Sequence, residues 1–79
     1  MYKVGDMVRI RDLPVGPGHD PSDPGLWYNS EMKKMAGRSD KIRAVFESIP
    51  GIYRYQLWLD NGDWVWTDAF LIPARQRTE

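Results

Sequence analysis

The chain reads as an all-β domain, five short strands curled into a small barrel with a long Pro/Gly-rich first loop and one short helix. Three observations point there. Apolar and polar residues alternate in period two along 5–11, 40–47 and 52–60, the pattern of half-buried strands. In "LDNGDWVWTD", residues 59–68, an Asn61-Gly62 pair separates two apolar runs; a two-residue hairpin turn needs positive φ at both central positions, which Asn and Gly tolerate best. Four tryptophans and four tyrosines among 79 residues suit a small core, because each large ring buries about 150 to 250 Å².

The first strand is "GDMVRIR", residues 5–11, with Val8 and Ile10 on one face and Met7, Arg9 and Arg11 on the other. "DLPVGPGHDPSDPG", residues 12–25, follows; Pro14, Pro17, Pro21 and Pro24 alternate with glycines, so no regular element runs through it. Loops of this length in so small a domain tend to carry function. "NSEMKKMAG", residues 29–37, predicts one or two helical turns: Asn29 or Ser30 caps the start, Glu31 sits in the first turn, Lys33 and Lys34 lie near the end, and Gly37 stops it. Met32 and Met35 share a face that packs on the core rather than on a ligand.

"DKIRAVFE", residues 40–47, predicts the second strand, with Ile42, Ala44 and Phe46 on one side and Lys41, Arg43, Val45 and Glu47 on the other. "SIPG" turns the chain into a third strand over 52–60. With Asn61-Gly62 as a two-residue turn, Leu59 faces Trp64, Trp58 faces Val65 and Leu57 faces Trp66. Opposed residues project to the same side. Tyr53, Tyr55, Leu57, Leu59, Trp64 and Trp66 then look inward, and Arg54, Gln56, Trp58, Asp63, Val65 and Thr67 look outward. Burying one indole contributes about 4 to 6 kcal/mol gross, comparable with the about 5 to 15 kcal/mol net stability of a domain, so Trp64 and Trp66 belong to the core. "TDAFLIP", residues 67–73, predicts a short turn and a last strand. Residues 1–73 thus form one domain, and 74–79 form a flexible C-terminal tail without an apolar anchor.

Composition narrows the function. Eleven basic residues balance eleven acidic ones, so the molecule as a whole presents no field that attracts nucleic acid or an anionic membrane. The absence of cysteine removes disulfides, thiolate nucleophiles and cysteine-based zinc sites. The lone His19 makes no metal site by itself, Asp20 and Asp23 read as turn formers, and the serines lack the Gly-x-Ser-x-Gly context of a nucleophile elbow. No apolar run is long enough for a signal peptide or a membrane span. These features predict a cytoplasmic, non-enzymatic protein with no cofactor and no membrane partner, as a monomer or a homodimer.

Five short strands, a long first loop, a tight hairpin and a brief turn before the last strand make the pattern of an SH3-like barrel, whose closure removes exposed sheet edges. "GDMVRIRDL", "MKKMAG" and "WVWTDAFL" also resemble the small SH3-like proteins of phages and low-GC bacteria, related to the Mind-bomb-type SH3-like repeat. The insert "PVGPGHDPSDPGLWYN" departs from that pattern in length and proline content. The resemblance implies a non-enzymatic barrel that binds protein segments, including a phage-encoded one that acts on a host protein.

The residues themselves suggest where. Aromatic rings near the long loop stack on extended segments; Trp27 and Tyr28 end that loop, and Trp58 beside Arg54 lies on the outer face of the third strand. Trp27, Tyr28, Arg54 and Trp58 form the expected protein-binding site, unless the loop and helix fold over Trp58 as a lid. The alternative partner is nucleic acid, held by Lys33, Lys34, Arg38, Lys41 and Arg43 together with Arg9 and Arg11.

Overall fold

The computed structural model describes residues 1–74. In chain order it contains β1 (Met7–Ile10), α1 (Ser30–Lys34), β2 (Ser39–Ile49), β3 (Ile52–Leu57), a 3-10 turn (Asp68–Phe70) and β4 (Leu71–Pro73). The strands form one antiparallel sheet in the order β3-β2-β1-β4. The all-β class follows directly. Where the sequence pattern called for a further strand, after the Asn61-Gly62 turn, the chain makes a single bridge between Trp66 and Tyr55.

β1 has the expected phase, with Val8 and Ile10 buried and Arg9 exposed. β2 changes phase part-way. Ile42 opposes Leu57, but Ala44 opposes Gln56, so the register slips by one at Arg43. A one-residue bulge exchanges the two faces of everything beyond it. Val45 consequently opposes the buried Tyr55 and packs on the core, while Phe46, expected inside, opposes Arg54 and is exposed.

The hairpin departs from expectation in a more instructive way. The turn itself forms: Asn61 and Gly62 have φ of 55° and 77°, and Asp63 N–H donates to the Asp60 carbonyl at 3.0 Å. The flanking segments nevertheless do not pair outward from it. Trp66 opposes Tyr55 instead of Leu57, exchanging two backbone hydrogen bonds with it at 2.8 and 2.9 Å. The cause is Asp60. Its carboxylate accepts from Gly62 N–H (3.1 Å), Trp64 N–H (3.1 Å) and the Trp66 indole Nε1–H (3.0 Å), and Asp40 takes Leu59 N–H at 2.7 Å. Such local side-chain acceptors offer the backbone an alternative to the strand ladder. Because the offset is two residues, faces are preserved, and Tyr55, Leu57 and Trp66 still meet in the core.

Around Phe70 the core rings pack edge to face, with Tyr28 at 5.3 Å, His19 at 6.4 Å and Trp66 at 6.5 Å between centroids. Asn29 caps α1 through Met32 N–H at 2.9 Å, which places Met32 in the same core. The first loop is ordered: Gly16 and Tyr28 pair through two backbone hydrogen bonds of 3.0 Å. Ala74, assigned to the tail by the sequence pattern, donates to the Met7 carbonyl at 3.0 Å; the rest of that tail, 75–79, lies outside the described residues. Among the described residues no helix is long and apolar enough to cross a membrane.

Candidate functional site

Trp58 follows directly on β3, and the turn beginning there directs its indole out of the core, leaving it 58% exposed. No lid covers it. The ring is nonetheless held: the Arg43 guanidinium lies 4.8 Å from its centroid, and Arg43 approaches Asn61 Oδ1 at 3.5 Å. Gly62 makes room for this arrangement, because a Cβ there would lie 2.9 Å from Arg43 Nη1. The bulge at Arg43 and the left-handed turn at Asn61-Gly62 thus meet at one clamped indole. Trp27, on the first loop, is similarly open at 56%.

The other expected site residues are occupied elsewhere. Tyr28 is fully buried, and its hydroxyl donates to the Arg11 carbonyl at 2.6 Å; burial pushes its pKa up. Arg54 is folded into an ion cluster, 3.8 Å from Asp20 and 3.2 Å from Asp23. Asp20 anchors that cluster. Its buried carboxylate accepts from Ser22 N–H at 2.9 Å, Ser22 Oγ–H at 2.7 Å and the Thr67 hydroxyl. Burial acts to raise its pKa, but the hydrogen bonds from Thr67 and Ser22 and the Arg54 charge outweigh it and hold the carboxyl below its ordinary value. Asp20 is therefore more than a turn former: it straps the first loop to β3 and to Thr67. His19 is half-buried against Tyr28 and Phe70 with Nε2 2.7 Å from the Pro14 carbonyl oxygen.

The basic residues divide. Lys33 pairs with Asp12, and Lys34 with Glu31 at 3.2 Å; Arg11 donates to the Ala69 carbonyl at 2.8 Å; Arg43 lies over Trp58. Arg9, Arg38 and Lys41 have no ion-pair partner among the described residues. Arg9 and Lys41 share the outer side of β1 and β2, where Arg9 opposes Ser39 and Lys41 opposes Met7.

An open cleft of about 430 Å³ lies at the other end of β3. Its walls are Asp20, Pro21 and Ser22 of the first loop, Gly51 to Arg54, and Thr67 to Ala69. Asp68 holds the floor in place by accepting from the Tyr55 hydroxyl at 2.9 Å, while that oxygen accepts Tyr2 N–H at 3.0 Å. Burial above all pushes the Tyr55 pKa up to about 12, and the neighbouring Asp68 carboxylate adds to the shift. The sequence pattern does not reveal this cleft, because its walls come from three segments that only the tertiary fold brings together.

No family model, curated protein or solved structure matches this chain. The geometry alone carries the functional argument.

Proposed function

We propose that this chain is a non-enzymatic SH3-like barrel that acts as a protein-interaction module, cytoplasmic and monomeric or homodimeric, with Trp58 at the centre of its docking surface. One observation carries the reading: a 58%-exposed indole lies against a guanidinium 4.8 Å from its centroid. An exposed ring held in one orientation loses little further freedom on contact, and aromatic side chains of this kind dominate the energetics of protein interfaces. Trp27 supplies a second open indole on the first loop. Tyr28 and Arg54 stand outside this surface: Tyr28 is buried with its hydroxyl on the Arg11 carbonyl, and Arg54 lies in the Asp20–Arg54–Asp23 cluster. The barrel reading draws on the sheet order together with the Tyr55–Trp66 bridge, which sets Trp66 beside the outer edge of β3, and on the 3-10 turn that then leads the chain to β4 beside β1.

Nucleic acid is the weaker partner, because four of the seven cations expected to bind it already have intramolecular partners. Capture from lysate with wild type and Trp58→Ala side by side, with and without nuclease, tests the reading. Nuclease-resistant protein partners lost on substitution are the expected result. Recovery only of nuclease-sensitive material, equal for both forms and weakening steeply with salt, would replace it with the nucleic-acid reading.

A further inference from the structure

β3 is an outer strand, and its outer edge is only partly covered. Tyr55 exchanges both backbone hydrogen bonds with Trp66 at that edge. Backbone groups alternate in direction along a strand, so residue 53 presents its N–H and C=O to the same edge. Continuing the Trp66 pairing would set residue 68 opposite Tyr53, but the chain leaves the ladder at Thr67 and coils into the 3-10 turn Asp68–Phe70. The space this departure opens is the cleft. Its β3 wall is an unfinished strand edge: the Tyr53 carbonyl accepts from Arg54 Nη1 at 3.0 Å, and its N–H, on the side away from β2, meets no neighbouring strand.

The charge of the cleft selects among extended occupants. Arg54 is already shared by Asp20 and Asp23. Asp68 is exposed; its Oδ1 accepts from Tyr55, and no cation pairs with it among the described residues. Two carboxylates and one guanidinium line the cleft, which leaves it net negative.

We propose that the cleft takes an extended peptide as an added strand, paired to the open edge at Tyr53, with a lysine or arginine side chain of the peptide directed to Asp68. Edge addition draws affinity from main-chain hydrogen bonds and specificity from the side-chain positions beside them. The proposal rests on the protein-binding reading of the chain but uses the opposite end of β3 from Trp58, so the two separate experimentally.

The test starts with selection of random heptapeptides on the whole chain, followed by titration of the ¹⁵N-labelled protein with the selected peptides. The expected peptides carry Lys or Arg and shift the Tyr53 amide resonance. N-methylation of the peptide bonds facing the edge weakens them about tenfold or more, the scale of one or two lost hydrogen bonds. Asp68→Asn, which keeps an acceptor for the Tyr55 hydroxyl, weakens them by about five- to tenfold, the scale of one charge-assisted contact. Peptides that shift the Trp58 indole but not the Tyr53 amide would overturn the cleft proposal and leave the docking surface standing. Selected peptides indifferent to N-methylation or to Asp68→Asn would overturn strand addition or the charge preference respectively. Failure to select any peptide would count against both sites.

Discussion

Two loops of this molecule are each organised by one aspartate, and they do so over different distances. In the first loop Asp20 reaches far along the chain, to Thr67 and, with Asp23, to Arg54. In the 58–66 connection Asp60 stays local, serving Gly62, Trp64 and Trp66. Both hold a loop through carboxylate acceptors, yet the consequences differ. Asp20 joins separate parts of the fold and shapes a cleft. Asp60 decides how one hairpin is built and which indoles remain outside.

Removing the long-range strap should cost the most. Asp20→Ala takes away three hydrogen bonds and leaves Arg54 largely buried with Asp23 alone. The expected loss is about 2 to 4 kcal/mol, read as a fall in Tm of roughly 10 to 20 °C for a domain of this size. A fall no larger than that of an ordinary surface substitution would show that the loop does not depend on the strap.

Asp60→Ala ranks next. It leaves the buried Trp66 ring with an unpaired indole N–H, at a cost of about 1 to 3 kcal/mol. Denaturant unfolding measures the loss, and tryptophan emission moved to longer wavelength would report the altered indole environment. Gly62→Ala sharpens the local side further. It forces a Cβ against Arg43 at a residue with φ of +77°, costing about 1 kcal/mol. The Arg43–Trp58 contact should loosen with it, seen as altered Trp58 indole chemical shifts at nearly unchanged fold.

A smaller effect tests the Asp20 strap by pH. Because the Asp20 carboxyl is held below its ordinary value, its charged form favours folding. That contribution is complete above the ordinary aspartate pKa of about 3.9 and disappears as pH falls through the lower folded value. The stability gap between wild type and Asp20→Asn should therefore be constant from about pH 5 to 7 and narrow below about pH 4. A gap that widens on acidification would mean the sign of the shift is wrong.

The same contrast explains what the sequence disclosed. The period-two phase of β1, the cap at Asn29 and the turn at Asn61-Gly62 rest on near neighbours in the chain, and each was legible. The outward placement of Trp58 was legible too: it stands one position beyond the buried Leu57 in the alternation of β3. The exposure of Phe46 was not, because the bulge at Arg43 follows from packing against β3 rather than from local composition. Nor were the burial of Tyr28, the capture of Arg54 and the cleft beside Tyr53, which depend on where the first loop closes. The acceptor-rich "DNGD" segment did carry a usable signal: an aspartate just before an Asn-Gly turn caps nearby amides as readily as it enters a ladder.

Two indoles, Trp58 and Trp27, face water while Trp66 is sealed inside. Hydrogen exchange of the four tryptophan Nε1–H groups, followed by NMR on the free protein, tests this directly. Trp66, donating to Asp60 from within the core, should exchange slowest, and Trp58 and Trp27 should exchange at nearly the rate of free indole. A Trp58 Nε1–H as protected as that of Trp66 would contradict the docking surface at its centre.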